Sequence, residues 1–242
     1  MRAVDKVLAD AVAAGRIPGA VAAVSSAEAC RYLAAFGAAG TSPSRAMQPD
    51  TVCRIASMTK LVTSVAVMTL VDAGRVDLDA TLADYVRGFR QPEVLADFDA
   101  EAGTWSTRPA IRDATLRELL SHTAGYGYWW LHEPLRIASG PDPNLIDPPF
   151  LIADPGTEFA YSTSADVVGL LIEPVTGLSL DAYFDERIFR PLGMTDTGFR
   201  LPDDMDRLAH VHRRSGGGFR QLPLESGDHP VRGGGGLYST AP

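Results

Sequence analysis

The stretch from Ala56 to Ala73, "ASMTKLVTSVAVMTLVDA", is apolar on nearly every side and stops at Gly74. A helix of that kind offers water no polar face, so the rest of the chain is expected to cover it all round. With 242 residues, 45% of them hydrophobic, the chain is long enough to do so as one large domain or as two lobes. Inside the stretch lies Lys60, one of 2 lysines in a chain with 20 arginines. An amine kept where nearly every other cation is a guanidinium asks for a reason.

The flanking pattern supplies the wrapping. Val4, Leu8, Ala11 and Val12 recur at helical spacing up to Gly15, and "GAVAAV" (19 to 24) and "RYLAAF" (31 to 36) predict a hairpin. Thr115 and Glu118 form a capping box that opens a helix with Leu116, Leu119 and Leu120 inward, running toward Gly125. A further helix follows Tyr161, with Val167, Val168 and Leu171 inward and Pro174 ending or kinking it. Another is predicted from a Ser179 cap to Phe189. Residues 87 to 114 and 126 to 159 read as long irregular stretches, which in compact domains are usually functional. Ser239 and Thr240 read as caps of a further helix.

Composition excludes several classes of function. The formal charge is -8 and no Lys/Arg stripe is present, so nucleic acid is not an expected partner. No apolar run reaches the ~20 residues of a membrane span. The N-terminus is broken by Asp5, Lys6 and Asp10 rather than forming a signal segment, which predicts a soluble, cytoplasmic protein. Cys30 and Cys53 are expected as buried free thiols rather than a disulfide. His210 and His212, two apart with no acid or Cys cluster, predict no metal site, and the glycines at 233 to 236 lack the Lys-Ser/Thr of a phosphate loop. No cofactor is implied, and the oligomeric state is open.

Ser57 and Lys60 are three apart, which on a helix puts hydroxyl and amine on one face a turn apart. Ser57 would also lie at the helix start, where exposed N–H groups favour developing negative charge. Arg could not replace Lys60 as a proton carrier, because a guanidinium does not give up its proton. The alternative is that Lys60 snorkels from a buried helix or pairs with an acid. Attack and leaving-group departure each need a proton transfer, and Tyr161 is the candidate second carrier. An ammonium ~4 Å from its phenol, at an effective dielectric of ~20, is worth about 4 kcal/mol, enough to bring a pKa of ~10 to near 7.

Taken together, "IPGAVAAV", "SMTK", "MTLVDAGRVDL", "LRELLSHTAG", "YST", "PVTGLSL", "PLGMTDTGF" and "GGGGLYSTA" resemble, in order and spacing, the serine hydrolases related to class C β-lactamases, D-alanyl-D-alanine carboxypeptidases and β-lactamase-like carboxylesterases. The resemblance implies an α+β, transpeptidase-like fold, with an antiparallel sheet flanked by helices and a helical lobe. It implies one catalytic domain, with an α/β lobe at 1–54 and 201–242, a helical lobe at 55–200, and the nucleophile in the cleft between. It assigns Ser57 as nucleophile and Lys60 and Tyr161 as proton relay, acting through an acyl-enzyme. His122 falls in a segment that matches as scaffold.

Two departures from the family pattern refine the expectation. The usual Tyr-x-Asn has Thr163 at its third position, which weakens the peptidase and β-lactamase readings because a hydroxyl lacks an amide's donor and acceptor pair. Gly127, Tyr128 and Trp129 reproduce a pattern of the esterase branch, so Tyr128, Trp129 and Thr163 are the expected substrate-binding residues. The family's C-terminal strand motif, Lys-Thr-Gly, His-x-Gly or Trp-Gly-Gly, is not reached. The expectation is therefore a hydrolase fragment without its last strands, short of one oxyanion donor, a loss that typically costs ~10² to 10³ in rate. The expected activity is cleavage of carboxylic esters, or of amides, on a small-molecule substrate. The alternatives are a β-lactamase or peptidase, an acyltransferase, and a non-catalytic sensor that is acylated once.

Overall fold

The computed structural model describes residues 2–224 and 230–242. The chain divides into two compact units, one formed by Met1–Ala56, Gly193–Pro230 and Gly236–Pro242, the other by Ser57–Leu192 and Val231–Gly235.

In the first unit, α1 (Arg2–Ala13) precedes a three-stranded antiparallel sheet of β1 (Gly19–Ser25), β2 (Cys30–Thr41) and β3 (Ser44–Ala46), in that order. The hairpin register, Gly19 opposite Gly37 through Val24 opposite Tyr32, follows the two apolar runs, and α1 is tied to β2 where Tyr32 Oη donates to Asp5 Oδ1 at 2.6 Å. A second small sheet pairs β4 (Cys53–Arg54) with a strand at Tyr238–Ser239. Val52, Leu208 and Tyr238 form the core there, with Leu201 and Leu224 packed against it. The thiols are free, but Cys30 is exposed and Cys53 half-buried. At position 30 the strand has only just emerged from its turn, so the side chain has nothing to pack under.

The second unit is built on α2 (Thr59–Asp72), preceded by a 3-10 turn at Ala56–Met58 and ending at Ala73. The expectation of a helix covered all round is corrected. Thr59, Lys60, Thr63, Ala66, Val67 and Leu70 are buried, whereas Leu61 and Val65 are 70% and 42% exposed, along with Met68. On the buried face Thr59, Thr63 and Ala66 are small enough to let neighbouring backbone approach closely; the Leu61, Val65, Met68 row at i, i+4, i+7 faces out.

The supposedly irregular stretch after residue 87 contains a hairpin of β5 (Val94–Asp99) and β6 (Thr104–Arg108), and the next stretch contains α4 (Glu133–Ser139). Between them α3 (Leu116–Leu120) opens with the expected reciprocal capping box of Thr115 and Glu118, yet it ends at Ser121 rather than running to Gly125. His122, at φ +59, turns the chain out of the helix. After Tyr161 come α5 (Ser164–Gly169) and α6 (Ile172–Thr176). The break at Leu170 and Leu171 is where the ring of Pro174 would collide with the carbonyl four residues back, so the proline ends the first helix and sits in the first turn of the second. Ser179 holds the cap position of α7 (Leu180–Phe184), though its hydroxyl donates to Asp181 Oδ1 instead of capping, and a π turn continues to Phe189. Leu116, Leu151, Leu171 and Phe184 are fully buried among these helices. Each such side chain stabilises the unit by roughly 1.5–3 kcal/mol relative to exposure. Among the described residues no single helix is long and apolar enough to cross a membrane.

Candidate active site

Ser57 lies in the 3-10 turn and is exposed, with Ala56 just before it at φ +46. A non-glycine residue in that region costs roughly 1–2 kcal/mol, and such strain persists only where the surroundings hold it. Lys60, 8% exposed in the first turn of α2, donates to Ser57 Oγ at 3.2 Å and to the carbonyl of Gly234 at 2.8 Å. Tyr161 reaches the same region from the coil before α5, near enough to Lys60 and Ser57 for both to lower the pKa of its phenol. The amine also lies 4.8 Å from the Tyr161 ring centroid and 5.4 Å from that of Tyr128. The structure therefore brings Ser57, Lys60 and Tyr161 together. Among the described residues no carboxylate lies within ion-pair distance of Lys60.

The two tyrosines beside Lys60 are driven in opposite directions. For Tyr161, burial works against ionisation, but hydrogen bonds with Lys60 and Ser57 and the charge of Lys60 prevail, and the pKa lies below its ordinary value. With 37% of Tyr161 exposed, solvent screening makes the effect smaller than the bare Coulomb figure. Tyr128 is 4% exposed; its burial outweighs the hydrogen bond and charge of Lys60, and the phenol is pushed up. Environments that drive two like groups apart separate the one that exchanges protons from the one that stays protonated.

Tyr128 stacks on Trp130 at 3.9 Å between centroids, while Trp129 points elsewhere and lines a small cavity with Thr163, Leu135 and Pro148. Thr163 is 3% exposed and its hydroxyl has no partner among the described residues. The three expected substrate-binding residues thus separate: Tyr128 joins Lys60, and Trp129 and Thr163 share a cavity of their own.

His122 packs its ring on Tyr161 at 4.9 Å and its edge toward Phe159 at 6.1 Å. Its Nδ1 accepts from the Ser162 N–H at 3.3 Å and lies 3.0 Å from Ser162 Oγ, and its carbonyl accepts from the Ala160 N–H at 2.9 Å. Burial, then the charge of Lys60, holds its pKa below the ordinary value. The imidazole buttresses the segment carrying Tyr161 and makes no hydrogen bond to Ser57.

Sequence reasoning missed three residues. Gly234 accepts from Lys60, Asp166 accepts from the Gly234 N–H at 2.8 Å, and Trp130, 52% exposed, shields Tyr128. The glycine run held the available signal. A Cβ on Gly233 would stand 2.1 Å from the Ala165 carbonyl and one on Gly234 2.1 Å from Asp166 Oδ2, so only glycine lets this backbone lie against α5.

Known proteins share this arrangement of elements. Monacolin J acid methylbutanoyltransferase of Aspergillus terreus is 38% identical over 186 residues, covering 71% of this chain and 45% of that protein. Esterase EstB of Burkholderia gladioli is 35% identical over 211 residues, covering 81% and 50%. Among solved structures, unliganded Simvastatin Synthase (LovD) from Aspergillus terreus superposes with a TM-score of 0.86 at 33% identity, covering 99% of this chain and 65% of that one. The chain spans about half the length of the curated relatives it matches. The fold is accordingly the β-lactamase-like one. Since the family described as Beta-lactamase matches residues 4–242, the chain belongs to the β-lactamase family.

Proposed function

We propose that this chain carries the acylation machinery of a serine hydrolase that cleaves carboxylic esters through an acyl-enzyme on Ser57. The observation that carries the reading is the single amine of Lys60, 3.2 Å from Ser57 Oγ and 2.8 Å from the Gly234 carbonyl, with the Tyr161 ring centroid 4.8 Å from the same amine. Lys60, as an ammonium, favours the phenolate of Tyr161. The phenolate takes the Ser57 proton as Oγ attacks the ester carbonyl, and the Ser57 N–H, in the 3-10 turn that leads into α2, favours the developing oxyanion. As the C–O bond to the alcohol breaks, the Tyr161 phenol returns its proton to the leaving oxygen. Water then attacks the acyl-Ser57 carbonyl by the reverse relay and frees the acid.

Exposed Trp130, Phe159 (69%) and Met58 (62%) give this region an apolar rim, which suits an apolar acyl or alcohol group. A second reading, transfer of the acyl group to an alcohol, is favoured by the relative named a methylbutanoyltransferase. The two share the first half-reaction. Treating the protein with a p-nitrophenyl acyl ester should release nitrophenol and add one acyl mass at Ser57, and Ser57→Ala should cut the rate by about 10⁴-fold or more. Acylation surviving in Ser57→Ala would refute the nucleophile. Adding an alcohol then separates the readings: ester product at the expense of free acid marks the transferase, unchanged acid release the hydrolase.

A further inference from the structure

Asp166 is a carboxylate 4% exposed that the acylation scheme leaves unused. Its burial raises its pKa, opposed by the Gly234 N–H bond and by the charges of Arg232 and Lys60. The surroundings of Gly234 explain what it does there. The N–H of Gly234 donates to Asp166 Oδ1 at 2.8 Å, and its carbonyl accepts from Lys60 Nζ at 2.8 Å. One peptide residue is thus gripped on one side by the buried acid and on the other by the buried amine. The contact is close enough that the three atoms nearest an added Cβ on Gly234 all belong to the Asp166 carboxyl group, at 2.1, 2.7 and 2.8 Å.

Neither partner of this contact is rigid by itself. Lys60 ends a flexible four-carbon stem, and it points at Ser57 only if a second acceptor fixes it. That acceptor belongs to a run of four glycines, 233 to 236, whose backbone is the least constrained the chain could supply. Thr63 on α2 fixes the Gly233 carbonyl at 2.7 Å, which leaves the Gly234 peptide to be held by Asp166. We infer that Asp166 is a positioning residue: through the N–H of Gly234 it fixes the carbonyl that aims Lys60 at Ser57. It acts as a hydrogen-bond acceptor, not as a counter-charge.

This inference rests on the acylation reading, and the experiment separates the two. Rates of Ser57 labelling by a p-nitrophenyl ester, followed by intact mass, are compared in wild type, Asp166→Ala, Asp166→Asn, Gly234→Ala and the Asp166→Ala/Gly234→Ala double variant, with melting curves alongside. Asp166→Ala should acylate about 10²-fold more slowly, with the concentration for half-saturation little changed. Asp166→Asn keeps an acceptor for the Gly234 N–H and should recover to within about fivefold of wild type, without displacing the pH–rate profile. Gly234→Ala should be as slow as Asp166→Ala, and the double variant no slower than Asp166→Ala, because the clash and the acceptor vanish together.

Wild-type acylation in a folded Asp166→Ala would overturn the inference while leaving the acylation reading intact. Asp166→Asn as slow as Asp166→Ala, or with a displaced pH profile, would overturn it in favour of charge. If Asp166→Ala does not fold, Asp166→Asn and Gly234→Ala still decide by the same criteria. A wild type that takes no acyl group at Ser57 removes both readings.

Discussion

Two kinds of cation stand within the same unit, and they are held in opposite ways. Arg108, Arg112 and Arg117 are about half exposed, and each forks onto one carboxylate: Asp154 at 3.1 and 2.5 Å, Glu118 at 2.8 and 2.5 Å, Asp79 at 2.8 and 3.1 Å. Lys60 is buried and is held by a hydroxyl and a carbonyl, with the rings of Tyr128 and Tyr161 beside it. The arginines tie loops: Arg112 also donates to the Pro155 carbonyl at 3.1 Å, and Asp154 also accepts from the Ile111 N–H at 3.0 Å, so the strand-rich stretch is fastened to the turn leading to Tyr161. A planar guanidinium facing a carboxylate is a fixed joint; an ammonium held by a hydroxyl and a carbonyl leaves its charge to act on the phenol beside it.

Exchanging the two cations should break that contrast most sharply. Lys60→Arg keeps the charge but is too large for the space between Ser57 and Gly234, so the cation no longer stands where it favours the Tyr161 phenolate. Acylation of Ser57 should fall by about 10³-fold or more, measured as the nitrophenol burst. Arg112→Lys keeps a charge near Glu118 but loses the fork. It should lower stability by about 1 kcal/mol, read from the denaturant midpoint, and leave the burst unchanged at neutral pH. A Lys60→Arg variant with normal acylation would erase the distinction.

The next effect tests what the amine does to its neighbour. Tyr161→Phe should slow acylation by about 10² to 10⁴-fold. Because the phenol's pKa is depressed, the form that accepts a proton accumulates on the acid side of an ordinary tyrosine. The wild-type rate should therefore climb with pH through a midpoint below 10. Lys60→Met removes the cation that favours the phenolate, so any residual rate should climb at higher pH than in wild type. A profile that stays in place after Lys60→Met would show that the amine does not set the phenol's charge. Arg112→Lys should leave the midpoint where it was.

Much of this was legible along the chain, and what was not has a physical pattern. Ser57 and Lys60 are three residues apart, and the Thr115 and Glu118 box is equally local, so spacing alone fixes their geometry. Gly234 is 174 residues from Lys60, and Asp166 is 68 from Gly234; no periodicity links them, and only the folded path of the glycine run brings them together. The β5 and β6 hairpin escaped because an irregular register between Leu95 and Asp97 breaks the alternation that marks a strand. For α2 the apolar pattern could not say which face would be covered, since hydrophobicity was the same all round: Leu70 and Val67 are buried while Leu61 and Val65 are exposed.

The smallest effect sharpens the structural half of the comparison. Glu118 is held below the ordinary carboxylate value first by the Arg112 guanidinium, against the opposing effect of burial and with help from the Thr115 N–H and hydroxyl. A depressed folded pKa means that its contribution is complete above the unfolded value, near 4.5, and is lost as pH falls through the lower folded value. Since Arg112 is 45% exposed, solvent screens the pair and the contribution is about 1 kcal/mol or less. Glu118→Gln can still accept from the Thr115 N–H, as the capping box requires, but gives up the ion pair. The variant should therefore be slightly less stable than wild type at pH 7, and the difference should shrink toward zero as both are titrated into acid below pH ~4. Urea midpoints measured across that range decide it. A gap that persists undiminished in acid would mean that Glu118 acts through its cap alone, and that the arginine fork contributes nothing to holding the scaffold.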